Sequence, residues 1–209
     1  MTKAIIFDLD SCLAAADEPG EALFAPAFAA MEAANQGTLP EAALRAAFAE
    51  CWRIAFDVVA ERHHFSPAMR RAGGETFRKI EVTQPMHGYG DLAVLRELPA
   101  QLYLVTSGFR RLQESKIRAL GIGGYFAGIH IDAIDDPVPE GKFGIFQKLL
   151  AQGGWQPEEV VVVGDNPDAE IEAGNRLGMK TIQILRPGVQ RSSRAQRHIR
   201  DLHALKALL

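Results

Sequence analysis

Two carboxylates near the start of the chain, Asp8 and Asp10, are the residues best suited to do chemistry. They follow the apolar residues 4–7, with one residue between them. A short apolar run of this kind is typical of a buried strand in a parallel sheet. Because a buried charge is costly, acids at the end of such a strand are expected where it opens into a cleft. Neighbouring carboxylates repel unless they share a cation or one holds a proton. The pair therefore suggests a nucleophile and an acid/base group beside a hard metal ion; the alternative is an ordinary acidic turn.

Polar residues also end two further predicted strands. Thr106 and Ser107 follow the apolar residues 102–105, and Asp165 follows a run of four valines and a glycine. In a parallel sheet the carboxyl ends of the strands open on one edge, where ligands bind. Lys142 precedes a predicted helix that leads to the Asp165 strand, so it could reach the same edge. The convergence of three strand ends is more specific than any one motif.

The elements that must position these residues fall into two classes. Residues 13–84 are rich in Ala, Glu, Arg and Phe, with apolar residues at helical spacing, which predicts an all-α unit. From about residue 89 strand and helix patterns alternate, which predicts a parallel sheet with right-handed crossovers. The first strand must join this sheet, because a lone strand is unstable. The sequence therefore predicts an α/β protein: a doubly wound, Rossmann-like core of residues 1–12 and 85–209, with a helical insertion at 13–84.

Length, composition and charge are those of an ordinary globular protein. The chain has 209 residues, 47% hydrophobic and 23% charged, with a formal net charge of -3. This charge gives no general attraction to nucleic acid or anionic lipid. No apolar run approaches membrane-spanning length, and Asp8 and Asp10 interrupt the stretch that a signal peptide would need. Cys12 and Cys51 do not suggest a disulfide framework, so we expect reduced thiols and a cytoplasmic location.

Four short motifs, taken together, resemble those of a known family. An apolar strand leads into Asp-x-Asp at Asp8 and Asp10, and a second strand ends at Thr106. A lone Lys follows at Lys142, and Gly-Asp ends a third strand at Asp165. They are similar to the motifs of the haloacid dehalogenase (HAD) superfamily, in the phosphoglycolate phosphatase-like branch with a helical cap after the first motif. The resemblance extends over the whole chain apart from the expected cap.

The resemblance implies a Mg²⁺-dependent phosphatase that hydrolyses a small phosphorylated metabolite through an aspartyl-phosphate. Asp8 would attack phosphorus, and Asp10 would protonate the leaving oxygen and then activate water. Asp8, Asp165 and the backbone carbonyl of Asp10 would bind the metal, and Lys142 would offset negative charge. The expected catalytic residues are Asp8, Asp10, Thr106 and Lys142. The expected contacts to the substrate phosphate come from Leu9, Thr106, Ser107 and Lys142.

Three details of the match stay open. Lys148 is a weaker candidate for the lone Lys of the third motif. Either Glu170 or Asp168 could supply the second acid of the fourth motif. Ser11 and Cys12 stand where the family usually has Gly and Thr, and we interpret Cys12 as a packing residue rather than a catalytic thiol.

Other functions would use similar residues. A phosphomutase of the same superfamily would share the acids and the cap, whereas a dehalogenase would lack Asp10. A receiver-type phosphoacceptor domain would carry its acceptor on a middle strand, without a helical insertion after the first strand. A non-catalytic scaffold would not need the full acid set. We expect a small-molecule partner, no nucleic acid and no membrane, and a monomer or homodimer.

Arginines recur every three residues near the end of the chain. They lie at Arg191, Arg194, Arg197 and Arg200. Such a run could bind nucleic acid or phosphate. Because Pro, Gly and Ser residues accompany it, the sequence favours a solvated loop.

Overall fold

Six parallel strands form the single sheet of the protein, in the order β3-β2-β1-β4-β5-β6. The computed structural model describes residues 1–209. The strands are β1 (Ala4–Phe7), β2 (Gln101–Gly108), β3 (Gly128–Ala133), β4 (Val160–Gly164), β5 (Lys180–Ile184) and β6 (Arg197–Ile199). The chain direction across the sheet reverses between β1 and β4, and ligands of doubly wound sheets bind at such a point. The predicted Rossmann-like α/β fold is confirmed.

Strand β1 lies inside the sheet, between β2 and β4, and is buried on both faces. Ile5 and Phe7 pack into one hydrophobic cluster, whereas Ala4 and Ile6 pack into another. This alternation follows from the two-residue period of a strand. Burial on both faces explains why all four residues are apolar. The first polar residue after the strand, Asp8, is therefore delivered directly to the carboxyl edge of the sheet.

Four helices lie between β1 and β2 and surround a hydrophobic cluster of their own. They are α1 (Ala25–Asn35), α2 (Glu41–Glu50), α3 (Phe56–Arg62) and α4 (Pro67–Phe77). Ser66 begins α4 as its N-cap, because its hydroxyl oxygen accepts a hydrogen bond from the Met69 N–H at 3.3 Å. The cluster also includes Phe109 and Leu112, which lie beyond β2. The insertion thus packs directly on the rest of the chain, and its treatment as a separate domain of residues 13–84 stays a prediction.

The remaining helices cover both faces of the sheet. They are α5 (Arg110–Leu120), α6 (Gly141–Gly153), α7 (Glu170–Arg176) and α8 (Leu202–Lys206). Residues of α5 and α8 join the cluster that contains Ile5 and Phe7, and residues of α6 and α7 join the cluster that contains Ile6. The longest helix has 13 residues. None of the helices is long and apolar enough to cross a membrane.

The arginine-rich end of the chain departs from the prediction. Instead of a solvated loop throughout, Arg197–Ile199 forms β6 and pairs in parallel with β5. Ile199 is buried in the core, whereas Arg197 is exposed. One buried apolar side chain and the backbone pairing hold this strand. The loop prediction was wrong at these residues.

Candidate active site

A cavity of about 310 Å³ opens at the carboxyl edge of the sheet. Its opposite wall is formed largely by residues 51–58 of the inserted segment. The wall on the sheet side carries the polar residues at the carboxyl ends of three strands. These are Asp8, Asp10, Thr106, Ser107 and Asp165, and Lys142 lies among them. The strand ends therefore meet in space as the topology of a parallel sheet requires.

Asp8 lies at the centre of an acid-rich cluster. Its side chain is 8% exposed, and its Oδ1 accepts a hydrogen bond from Lys142 Nζ at 2.7 Å. The same ammonium donates to Glu170 Oε2 at 2.8 Å. The competing candidate Lys148 is exposed and pairs with Glu140 at 2.8 Å. The structure thus brings Lys142, and not Lys148, to Asp8.

The carboxylates around Asp8 form a group suited to a divalent cation. Oxygen atoms of Asp8, Asp165 and Glu170 lie within 4.8 Å of one another. Burial and neighbouring acids raise the pKa of Asp8 to about 7 and that of Asp165 to about 8. Burial alone would lower the pKa of Lys142, but the Asp8 and Glu170 carboxylates raise it above its ordinary value. One ammonium therefore faces three acids, and a second cation would relieve the remaining repulsion. Carboxylate oxygens are the ligands that Mg²⁺ prefers, so these residues fit the ion.

Glu170 is held in this group by the turn that follows β4. Its Oε1 accepts a hydrogen bond from the Asn166 N–H at 2.6 Å. Gly164 provides the space, because a Cβ at that position would lie 2.3 Å from the Glu170 side chain. Asp168, the alternative second acid, is exposed and pairs with Arg194. The structure therefore brings Glu170, rather than Asp168, to the carboxylate group.

Asp10 contacts a different set of partners. Lys116 Nζ donates to its Oδ1 at 2.7 Å, and Gln113 Nε2 donates to its Oδ2 at 3.1 Å. Gln113 Oε1 in turn accepts from Thr106 Oγ1 at 3.2 Å. Gln113 and Lys116 lie three positions apart on α5, so they share one face of that helix. Our sequence analysis missed both residues. The available signal was a Gln and a Lys at helical spacing just after the Thr106 motif.

The residues expected to contact the phosphate are placed as follows. Thr106 is buried at the end of β2, facing Gln113. The Ser107 hydroxyl donates to Asp132 Oδ2 at 3.0 Å, and Asp132 Oδ1 accepts from the Gly141 N–H at 2.8 Å. The side chain of Leu9 is fully buried in the core. Leu9 can therefore offer only backbone atoms to the cavity.

The Ser11–Cys12 pair has a structural explanation. Ser11 has φ of 56°, in the left-handed region that favours glycine, the residue that the resemblance leads us to expect at this position. Cys12 is fully buried, with its Sγ 3.6 Å from the carbonyl oxygen of Val163. Burial raises the pKa of the Cys12 thiol well above its ordinary value. Full burial and a raised pKa both disfavour the reactive thiolate, which supports the interpretation of Cys12 as a packing residue.

Aromatic side chains of the insertion line the far wall of the cavity. Phe24 stacks on Trp52 with a centroid distance of 3.9 Å, and Phe77 stacks on Phe109 at 5.3 Å. Arg53 spans from this wall to the loop after β5, where its Nη1 donates to the carbonyl oxygen of Gly188 at 2.8 Å. The part of the cavity away from the acids is therefore largely apolar.

The chain is similar in sequence and in structure to known hydrolases. A family described as haloacid dehalogenase-like hydrolase matches residues 2–178. The glyceraldehyde 3-phosphate phosphatase of Methanopyrus kandleri is 31% identical over 210 residues, covering 89% of this chain and 85% of that protein. The phosphoserine phosphatase of Thermus thermophilus is 28% identical over 140 residues, covering 59% and 55%. The crystal structure of a HAD phosphatase from Thermococcus onnurineus superimposes with a TM-score of 0.62 at 22% identity, covering 99% of this chain and 97% of that one.

Proposed function

The chain belongs to the haloacid dehalogenase-like hydrolases, and on that premise we propose that it is a Mg²⁺-dependent phosphatase of a small phosphomonoester metabolite. The observation that carries the proposal is the meeting of Asp8, Asp10 and Lys142 at one edge of the sheet. The relatives named for glyceraldehyde 3-phosphate and phosphoserine support a small phosphorylated substrate. A cavity of about 310 Å³ has room for a molecule of that size.

Asp8 is the proposed nucleophile. Lys142 holds its Oδ1, which fixes the carboxylate and leaves the other oxygen to attack phosphorus. The new bond joins this oxygen to phosphorus, the bond from phosphorus to the leaving oxygen breaks, and an aspartyl-phosphate results. Mg²⁺ would be held by Asp8, Asp165 and the backbone carbonyl of Asp10, with Glu170 beside them. Bound there, it would neutralise charge on the phosphoryl group. Lys142 adds a fixed positive charge at the same place.

Asp10 is the proposed general acid and base. Its side chain is 24% exposed and lines the cavity, so it can reach a substrate. It gives a proton to the leaving oxygen, and then takes one from the water that attacks the phosphorus of the aspartyl-phosphate. Phosphate leaves, and Asp8 is regenerated as a carboxylate. Thr106 and Ser107 line the same cavity and, with the backbone of Leu9, are the proposed contacts of the phosphoryl oxygens. Their hydroxyl protons, which Gln113 and Asp132 accept in this structure, would turn to the phosphoryl group when a substrate binds.

The inserted helices and the two cysteines bear on where and how the reaction would take place. Residues 13–84 would act as a cap that closes the cavity over the substrate. Cys12 and Cys51 are both free thiols, which fits the cytoplasm. The partner is a small metabolite rather than nucleic acid or membrane, and the chain would act as a monomer or homodimer.

A phosphate-release screen over a panel of small phosphomonoesters, run with Mg²⁺ and with a chelator, tests the proposal. We expect phosphate release that the chelator abolishes. Asp8→Asn should lower turnover by on the order of 10⁴-fold or more, because the nucleophile is lost. The matched control is Asp168→Asn, an exposed acid on the same cavity wall, which should keep its turnover. Release that ignores the chelator, or that survives Asp8→Asn, would contradict the proposal, and transfer of phosphate within a sugar phosphate without release would favour a phosphomutase.

A further inference from the structure

Two buried polar residues of α5, Gln113 and Lys116, have no part in the chemistry described above. They are only 3% and 2% exposed. A lysine this deeply buried is rare unless its charge is paired. Its partner here is Asp10, which lies 106 positions away in the sequence. The buried ammonium of Lys116 therefore pairs with one carboxylate of the active site, that of Asp10.

The hydrogen bonds of Gln113 have a defined direction. Because its Nε2 donates to Asp10, its Oε1 faces Thr106, and the Thr106 hydroxyl must be the donor to it. The backbone makes room for this side chain. Gly108 has φ of 143°, and a Cβ there would lie 2.8 Å from Gln113 Nε2. The order Lys116, Asp10, Gln113, Thr106 is thus a continuous chain of polar contacts, in which only Asp10 is partly exposed.

We propose that Lys116 and Gln113 are positioning residues that hold the Asp10 carboxylate for proton transfer, an inference that rests on the proposed phosphatase function. A carboxylate has about four lone-pair positions, and these two donors occupy one on each oxygen, which leaves positions for the proton that Asp10 gives to the leaving oxygen and later takes from water. Asp10 lines the cavity and is partly exposed, so a remaining position can be reached by a substrate. With both donors in place, rotation of the carboxylate would break two hydrogen bonds at once. Asp10 is therefore fixed before a substrate arrives.

The leaving group of the substrate decides how much this positioning matters. A leaving oxygen that is a poor leaving group needs a proton from Asp10 as its bond to phosphorus breaks. A leaving group that is stable as an anion departs without that proton. Phenyl phosphate and 4-nitrophenyl phosphate differ in this respect and are nearly the same size. A loss of positioning should lower kcat/KM for phenyl phosphate far more than for 4-nitrophenyl phosphate, whereas general damage to the site would lower both alike.

The test compares Lys116→Met with Arg118→Met at saturating Mg²⁺. Both remove a cation from α5, but Arg118 is exposed and forms no hydrogen bond or ion pair with Asp10. We expect Lys116→Met to lower kcat/KM by about 10²-fold for phenyl phosphate, the effect typical of a misplaced catalytic group. The loss for 4-nitrophenyl phosphate should be less than about 10-fold, on the same reasoning. Arg118→Met should leave both values unchanged, and Lys116→Arg should keep the ratio of the two near that of the wild type.

Equal losses for the two substrates, or no loss, would overturn the positioning role. If circular dichroism shows that Lys116→Met does not fold, the same comparison of kcat/KM for the two aryl phosphates is made with Gln113→Met. A wild-type protein that releases no phosphate from the aryl phosphates or from the metabolite panel overturns the proposed function, and the positioning role with it. An active wild type with an unchanged ratio in the variants overturns the positioning role alone.

Discussion

Asp8 and Asp10 are two positions apart, and each is paired with one buried lysine, yet their surroundings differ in charge. Around Asp8, one ammonium serves three carboxylates, those of Asp8, Asp165 and Glu170. Around Asp10, one ammonium serves one carboxylate, and a neutral amide supplies the second donor. The first region thus has more carboxyl groups than cations, whereas the second has one of each. A further cation would relieve repulsion in the first region, and the second region has no such excess of acids.

The two lysines come from helices on opposite faces of the sheet. Lys142 lies on α6, which packs against the face of Ile6, and Lys116 lies on α5, which packs against the face of Ile5 and Phe7. Asp8 continues the two-residue alternation of β1 and therefore faces α6. β1 ends at Phe7, and the turn that follows directs Asp10 toward α5 instead. Ending the strand early is what separates the two acids.

Of the changes that separate the two regions, replacing Lys142 should have the largest effect on stability. Lys142→Met leaves buried carboxylates without their cation, which should lower the free energy of unfolding by about 3–5 kcal/mol in the absence of metal. Added Mg²⁺ should restore part of this loss, since the acids then have a cation to bind. Urea unfolding with and without Mg²⁺ measures both effects. The matched control is Lys148→Met, which removes an exposed lysine of the same helix.

The proposed difference in charge between the two regions would be contradicted if Mg²⁺ stabilised Lys142→Met no more than it stabilises Lys116→Met. It would also fail if Lys142→Met unfolded at the same urea concentration as Lys148→Met.

A smaller effect is expected for Mg²⁺ affinity after replacing one acid. Asp165→Asn removes a carboxylate from the acid-rich region and should weaken Mg²⁺ binding by at least about 10–100-fold. Asp10→Asn should change the affinity little, because its side chain belongs to the other region. Isothermal titration calorimetry measures the affinities directly, with Asp168→Asn as the exposed control. Weakening by Asp10→Asn equal to that by Asp165→Asn would show that the two regions share the metal.

Much of the fold was predictable because the decisive patterns are local. The apolar run before Asp8 and the four valines before Asp165 indicate strands that are buried on both faces. Strand β6 was missed for a physical reason. It has three residues, and only Ile199 contributes to the core, so neither its length nor its composition differs from a loop.

The acids of the site could be placed from the sequence because each follows a strand in a parallel sheet. Their partners were harder to find. Choosing Lys142 over Lys148 depends on the rotation of α6 about its axis, and the pairing of Lys116 with Asp10 depends on how α5 packs. Both are tertiary properties. A buried lysine has the same local sequence signal as an exposed one.

The covalent step at Asp8 is the central claim, and it can be measured directly. Radiolabelled 4-nitrophenyl phosphate is mixed with the enzyme and Mg²⁺, quenched in acid within one turnover, and the digested protein is mapped for label. We expect label on the peptide that contains Asp8, more of it in Asp10→Asn because dephosphorylation is slowed, and none in Asp8→Asn. Phosphate release in the first turnover with no labelled Asp8 peptide, or with label on another peptide, would contradict the account.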